Sequence, residues 1–151
     1  MQKCTSAMKK QEVFKQKLDT AGRFVFDKVF KFVEEQDERF ELRWSEKGFT
    51  FNIKIGGTRY LNLFEGYPEE AQYGQSIRVD MNVLKHKLKE PYGIITEYKD
   101  RIDSLPLKGR TDYVYHWDIN CNYEKEVEQF LNVVAEMAKI IENKITLQDL
   151  I

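Results

Sequence analysis

The stretch Phe49-Thr50-Phe51-Asn52-Ile53-Lys54-Ile55-Gly56-Gly57 decides the fold. Its apolar residues occupy every second position, with Thr50, Asn52 and Lys54 between them. Strand side chains alternate between two faces, so this spacing predicts a half-buried β-strand. Gly56-Gly57 accepts the positive φ of a tight turn, and Arg59 to Phe64 reads as the returning strand of a hairpin.

The period of two extends upstream, where Phe40, Leu42 and Trp44 alternate with Glu41, Arg43 and Ser45, and Ser45–Gly48 reads as a turn. Downstream comes a loop rich in Gly, Pro and Tyr from Glu65 to Gln75. Ser76, Arg78, Asp80 and Asn82 then alternate with Ile77, Val79, Met81 and Val83, which predicts a fourth strand with one polar face. Leu84 to Leu88 extends that strand or begins a short helix, and Thr111 to Ile119 reads as a fifth strand.

Helical spacing dominates both ends. Phe14, Leu18, Ala21, Val25, Val29 and Phe32 recur at steps of three or four. They predict one long helix, or two that break near Asp19–Gly22, with an apolar stripe wide enough to suggest a second partner. Val127, Phe130, Leu131, Val134, Met137, Ala138 and Ile141 predict a terminal helix, with Asn122 as its N-cap. Tyr92 to Leu105, between Pro91 and Pro106, predicts a further helix. The order is therefore helix, four strands, helix, strand, helix. The expected fold class is α+β: an antiparallel or mixed sheet of about five strands, with the N- and C-terminal helices packed on one face. No linker or internal repeat divides the 151 residues, so a single domain is expected, with 1–6 and 146–151 as frayed tails.

Composition excludes several classes. Hydrophobic residues make up 42%, too many for a disordered chain. Lys and Arg number 24 against 25 Asp and Glu, so the net charge of -1 gives no global attraction to nucleic acid or to an anionic membrane. Two cysteines, Cys4 and Cys121, are too few for a disulfide scaffold. No apolar run is long enough to span a bilayer and no signal peptide is visible, so a cytoplasmic protein with reduced thiols and no membrane partner is expected. Phosphate-binding P-loop, dinucleotide-binding, nucleophile-elbow, zinc and EF-hand spacings are all missing.

Five constellations remain. Ser76, Arg78, Asp80 and Asn82 form either a binding floor or the solvated face of a sheet. The loop with Glu65, Tyr67 and Tyr73 is the best site candidate, because Tyr supplies contact area and a hydroxyl at modest entropy cost. His116 and Asp118 share a strand face, where a carboxylate could orient an imidazole, although no nucleophile is paired with them. The element order also matches the core of restriction-endonuclease-like folds, a fold-level analogy only. Under that reading Glu65 and Asp80 would hold Mg²⁺ or Mn²⁺ with Lys54 nearby, but Asn52 stands where an acidic ligand belongs. Finally, residues 1–33 hold eight Lys and Arg against three Asp and Glu, a local +5, which weakly supports nucleic acid as a partner.

The leading expectation is a non-catalytic binding or interaction module with a protein partner, self-association through the first helix being one version. No cofactor is expected. The alternatives are a divalent-metal nuclease-like domain, intact or degenerate, and a small-molecule site between the sheet and the Glu65–Gln75 loop.

Overall fold

A computed structural model describes the backbone of residues 2–151 and the side chains of residues 9–151. The chain runs α1 (Gln2–Gln16), α2 (Thr20–Glu34), β1 (Phe40–Trp44), β2 (Phe49–Ile55), β3 (Arg59–Tyr67) and β4 (Ser76–Asp80). It continues through α3 (Asn82–Lys87), α4 (Tyr92–Ile102), β5 (Lys108–Gly109), β6 (Val114–Asp118) and α5 (Glu124–Lys144), then a 3₁₀ turn at Leu147–Asp149. The fold is α+β, with a six-stranded sheet in the order β1-β2-β3-β4-β6-β5. Every pairing is antiparallel, including the β4–β6 pair formed after the α3–α4 crossover. The sixth strand, β5, has two residues and is too short to leave a periodic signature.

The helices lie together over one face, α5 against both α2 and α4. Aromatic rings weld them to the sheet. Phe51 stacks between Phe40 and Phe64, and Phe130 of α5 meets Phe64 at 5.3 Å and Trp117 at 6.0 Å. Phe26 of α2 and Phe14 of α1 both pack on Phe49. Each such ring, taken from water, contributes about 1.5–3 kcal/mol. The apolar stripe of α2 is consumed here: Val25, Phe26, Val29 and Phe30 are buried within the chain. These four side chains are spent on the fold.

The helical segment breaks between Gln16 and Thr20. Asp19 caps α2 by accepting from Gly22 N at 2.8 Å. The buried Gln75 locks the break to the sheet, donating to Asp19 Oδ1 (2.8 Å) and Ile119 O (2.7 Å) and accepting from Asp19 N (3.0 Å). Bonding to Gln75, then to Gly22 N, holds the Asp19 carboxyl below its ordinary value. Gly22 is not the break. It lies inside α2, where a Cβ would meet Gln75 Oε1 at 2.1 Å.

Other boundaries shift for local reasons. Asn122 does not cap α5, which begins at Glu124 after Tyr123 with no side-chain cap. Helix α4 stops at Ile102, three residues short of Leu105. The tail at 146–151 is tied down rather than frayed, since Thr146 and Asp149 form a capping box and Leu150 bridges Leu88. Cys121 is free and exposed. Cys4 and the side chains of 1–6 lie outside the described residues. No helix among those described is long and apolar enough to cross a membrane.

Two glycines separate packing from propensity. Gly93 is exposed in α4 with nothing within 4 Å of a Cβ, so Gly93→Ala should raise stability by up to about 1 kcal/mol. Gly22→Ala should lower it despite the same gain in helix propensity. Thermal unfolding of both variants checks this, and a rise for both would contradict the packing of Gln75 on α2.

Candidate functional site

The opposite sheet face carries no helix, and its chemistry depends on a bulge. Phe51 pairs with Phe64, but Asn52 pairs with Asn62, so Leu63 is an extra residue in β3. A bulge inserts one residue and reverses the side-chain alternation beyond it. Leu63 and Phe64 are both buried as a result. Glu65 and Tyr67 then join Asn62 on the helix-free face, where Asn62 Nδ2 donates to Glu65 Oε2 at 3.1 Å.

Register now lines up one residue from each strand. Arg43 lies opposite Thr50, Thr50 opposite Glu65, Glu65 opposite Arg78, Arg78 opposite His116, and His116 opposite Lys108. Each side chain in the middle of this row is held by a neighbour on the same face. The Tyr67 hydroxyl donates to Glu65 Oε1, so both carboxylate oxygens of Glu65 accept. Burial first, and the Glu65 bond second, push the Tyr67 hydroxyl well above its ordinary value, so it remains a donor. Tyr73 meets Tyr67 edge to face at 5.2 Å and lies over the Arg78 guanidinium at 3.8 Å. Arg78 Nη1 is 3.4 Å from His116 Nδ1, and His116 Nε2 is 2.7 Å from Asp118 Oδ1. Arginine can only donate, so the network assigns Nδ1 as acceptor and Nε2 as the protonated nitrogen.

The row ends in a pocket of about 250 Å³ at the β5 edge, lined in part by Lys108, Arg110, His116, Asp118, Asn120 and Tyr123. Trp117 lines it too, and its buried indole N–H has no partner among the described residues. Lys108 and Arg110 have no ion-pair partner among the described residues. Neither cation was legible in the sequence, because the two-residue β5 shows no alternation.

Of the expected site residues, Glu65, Tyr67, Tyr73, Arg78, His116 and Asp118 come together. Glu65 and Tyr67 belong to β3 rather than to a loop. Asn82 leaves the face, because β4 ends at Asp80 and Asn82 opens α3. Asp80 stays on β4, its carboxylate accepting from Asn82 N at 3.0 Å to start that helix. Lys54 lies on β2, 3.8 Å from Glu41. Glu65, Asp80 and Lys54 thus face three different partners, and no group of three or more His, Cys, Asp or Glu among the described residues is placed to hold a metal ion. A larger cavity of about 850 Å³ lies away from the row, between Ile55–Gly57 and Thr146–Gln148. No protein-family model, curated protein or solved structure matches the chain.

The Tyr73–Arg78 contact should be energetic as well as geometric. A double-mutant cycle with Tyr73→Leu and Arg78→Met should give a coupling of about 0.5–1 kcal/mol in urea unfolding. Additive losses would contradict the stacked arrangement.

Proposed function

We propose that this chain is a binding module whose recognition surface is the helix-free sheet face, with a ligand or partner segment that sets an anionic group beside an aromatic or apolar one. The aligned row Glu65–Arg78–His116–Lys108, its side chains held by Asn62, Tyr67, Tyr73 and Asp118, carries the reading. A general base needs a ring nitrogen within reach of a substrate proton. Here both nitrogens of His116 face protein partners and both oxygens of Glu65 accept from neighbours. Such a surface is preorganised, which lowers the ordering cost of binding. Lys108 and Arg110 supply uncompensated positive charge beside it, and the exposed edge of Tyr73 supplies contact area. A protein partner with an acidic, aromatic-bearing segment and a small aromatic anion would both satisfy this chemistry. The exposed thiol of Cys121 suits a reducing, cytoplasmic setting.

Titration of ¹⁵N-labelled protein with benzoate and phenyl phosphate tests the reading. Saturable shifts are expected on the amides of 73–78 and 107–118, absent with neutral benzamide and reduced in Lys108→Ala/Arg110→Ala. Shifts scattered over other surfaces, or none, would overturn it.

A further inference from the structure

A second surface lies beside β1, at the other edge of the sheet from β5. It is a groove of about 590 Å³ between α1 and the β1–β2 turn. Its floor is apolar, formed by Val13, Phe14, Trp44 and Pro68. Phe14 and Leu18 anchor α1 to the core, each 4% exposed, yet Val13 on the same helix is 43% exposed. Trp44 ends the edge strand half-buried, one side packed on Phe14, Phe30 and Phe49. A floor of this size and composition is typical of ligand sites.

The rim is cationic. Lys9 and Lys10 stand on α1, Lys17 just past its end and Lys47 on the facing turn, with Glu46 the one acid among the described residues that line the groove. Lys17 is held by Glu70 at 2.8 Å. Lys9, Lys10 and Lys47 have no ion-pair partner among the described residues. Three of the eight Lys and Arg of residues 1–33 line the groove. Lys9 and Lys10 stand on the α1 wall and Lys47 faces them from the β1–β2 turn, so the free cations flank the apolar floor from two sides. A single head group at the end of an acyl chain would want cations converging on one point. Cations on both sides of the floor instead match acids on both sides of an apolar anchor. The C-terminal tail is not the occupant, since Leu150 is paired with Leu88.

We infer that this groove docks an acidic peptide segment of a partner protein, one apolar anchor on Val13 and Trp44 and flanking carboxylates on Lys9, Lys10 and Lys47. The inference is independent of the sheet-face reading. Buried apolar area supplies the affinity, and the lysines supply selectivity and faster encounter.

The test is fluorescence anisotropy of the full chain with a labelled, capped dodecapeptide carrying Leu and Phe anchors between Asp/Glu flanks. Two controls replace the acids by Ser and Gln, or the anchors by Gly and Ser. Saturable binding about tenfold tighter than either control is expected, weakening as salt rises. A loss of about tenfold is expected both in Lys9→Glu/Lys10→Glu/Lys47→Glu and in Val13→Asp, with circular dichroism and melting unchanged. These residues are exposed, so both variants should fold. Equal affinity for all three peptides would overturn the inference, as would loss of binding in Lys108→Ala/Arg110→Ala alone. Binding of dodecanoate without the peptide would assign the groove to a lipid instead. A dimer of the free protein abolished by the lysine reversals would assign it to a second copy.

Discussion

The hydroxyl of Tyr98, fully buried in α4, donates to the carbonyl of Leu63 at 2.9 Å. Leu63 is the extra residue of the β3 bulge, and Tyr98 supplies its carbonyl with a donor from α4. A buried carbonyl left unpaired costs about 1–3 kcal/mol. Tyr98 removes that cost and fixes the bulge from beneath the sheet. Burial pushes its hydroxyl well above the ordinary tyrosine value, so the donor is never lost in the working pH range. With the bulge go the burial of both Leu63 and Phe64, the turning of Glu65 and Tyr67 to the other face, and the row that sets Glu65 beside Arg78 and His116.

A sheet covered on one side sets different demands on its two faces. The covered face is aromatic and satisfied by packing, as Phe51, Phe64 and Phe130 show. The bare face must satisfy its polar groups laterally. It does so in two patches, Glu65–Arg78–His116 toward β5 and a second toward β1. In that second patch the Tyr60 hydroxyl donates to Glu41 Oε2 at 2.8 Å and Arg43 lies 4.7 Å from the Tyr60 ring. Lateral bonds of this kind hold side chains of the bare face in fixed positions.

Much of this architecture was legible. Strict alternation around Phe49–Ile55 and the Gly56-Gly57 turn revealed the central hairpin, and the spacing from Val127 to Ile141 revealed the last helix. The polar face of the fourth strand up to Asp80, and the shared strand face of His116 and Asp118, were legible for the same reason, the period of two; their 2.7 Å contact was not. The bulge was not, because the doublet Leu63-Phe64 reads as a strand end unless the long-range donor Tyr98 is known. Lys108 and Arg110 were hidden by the brevity of β5. The helix break near Asp19 was one of the two readings of the first segment, but the role of Gly22, the close approach of Gln75 53 positions on, was not legible. The bulge and Gly22 both involve a partner distant in sequence, which local periodicity does not encode.

The account rests on the β2–β3 register, because an unbroken register would send Glu65 to the covered face and dissolve the row. Cross-strand backbone contacts in an NMR spectrum of labelled protein measure that register directly. The account predicts contacts of Phe51 with Phe64 and of Asn52 with Asn62 in the same sample, with Leu63 opposite no single residue of β2. A contact of Phe51 directly opposite Leu63, with Phe49 opposite Glu65, would contradict it.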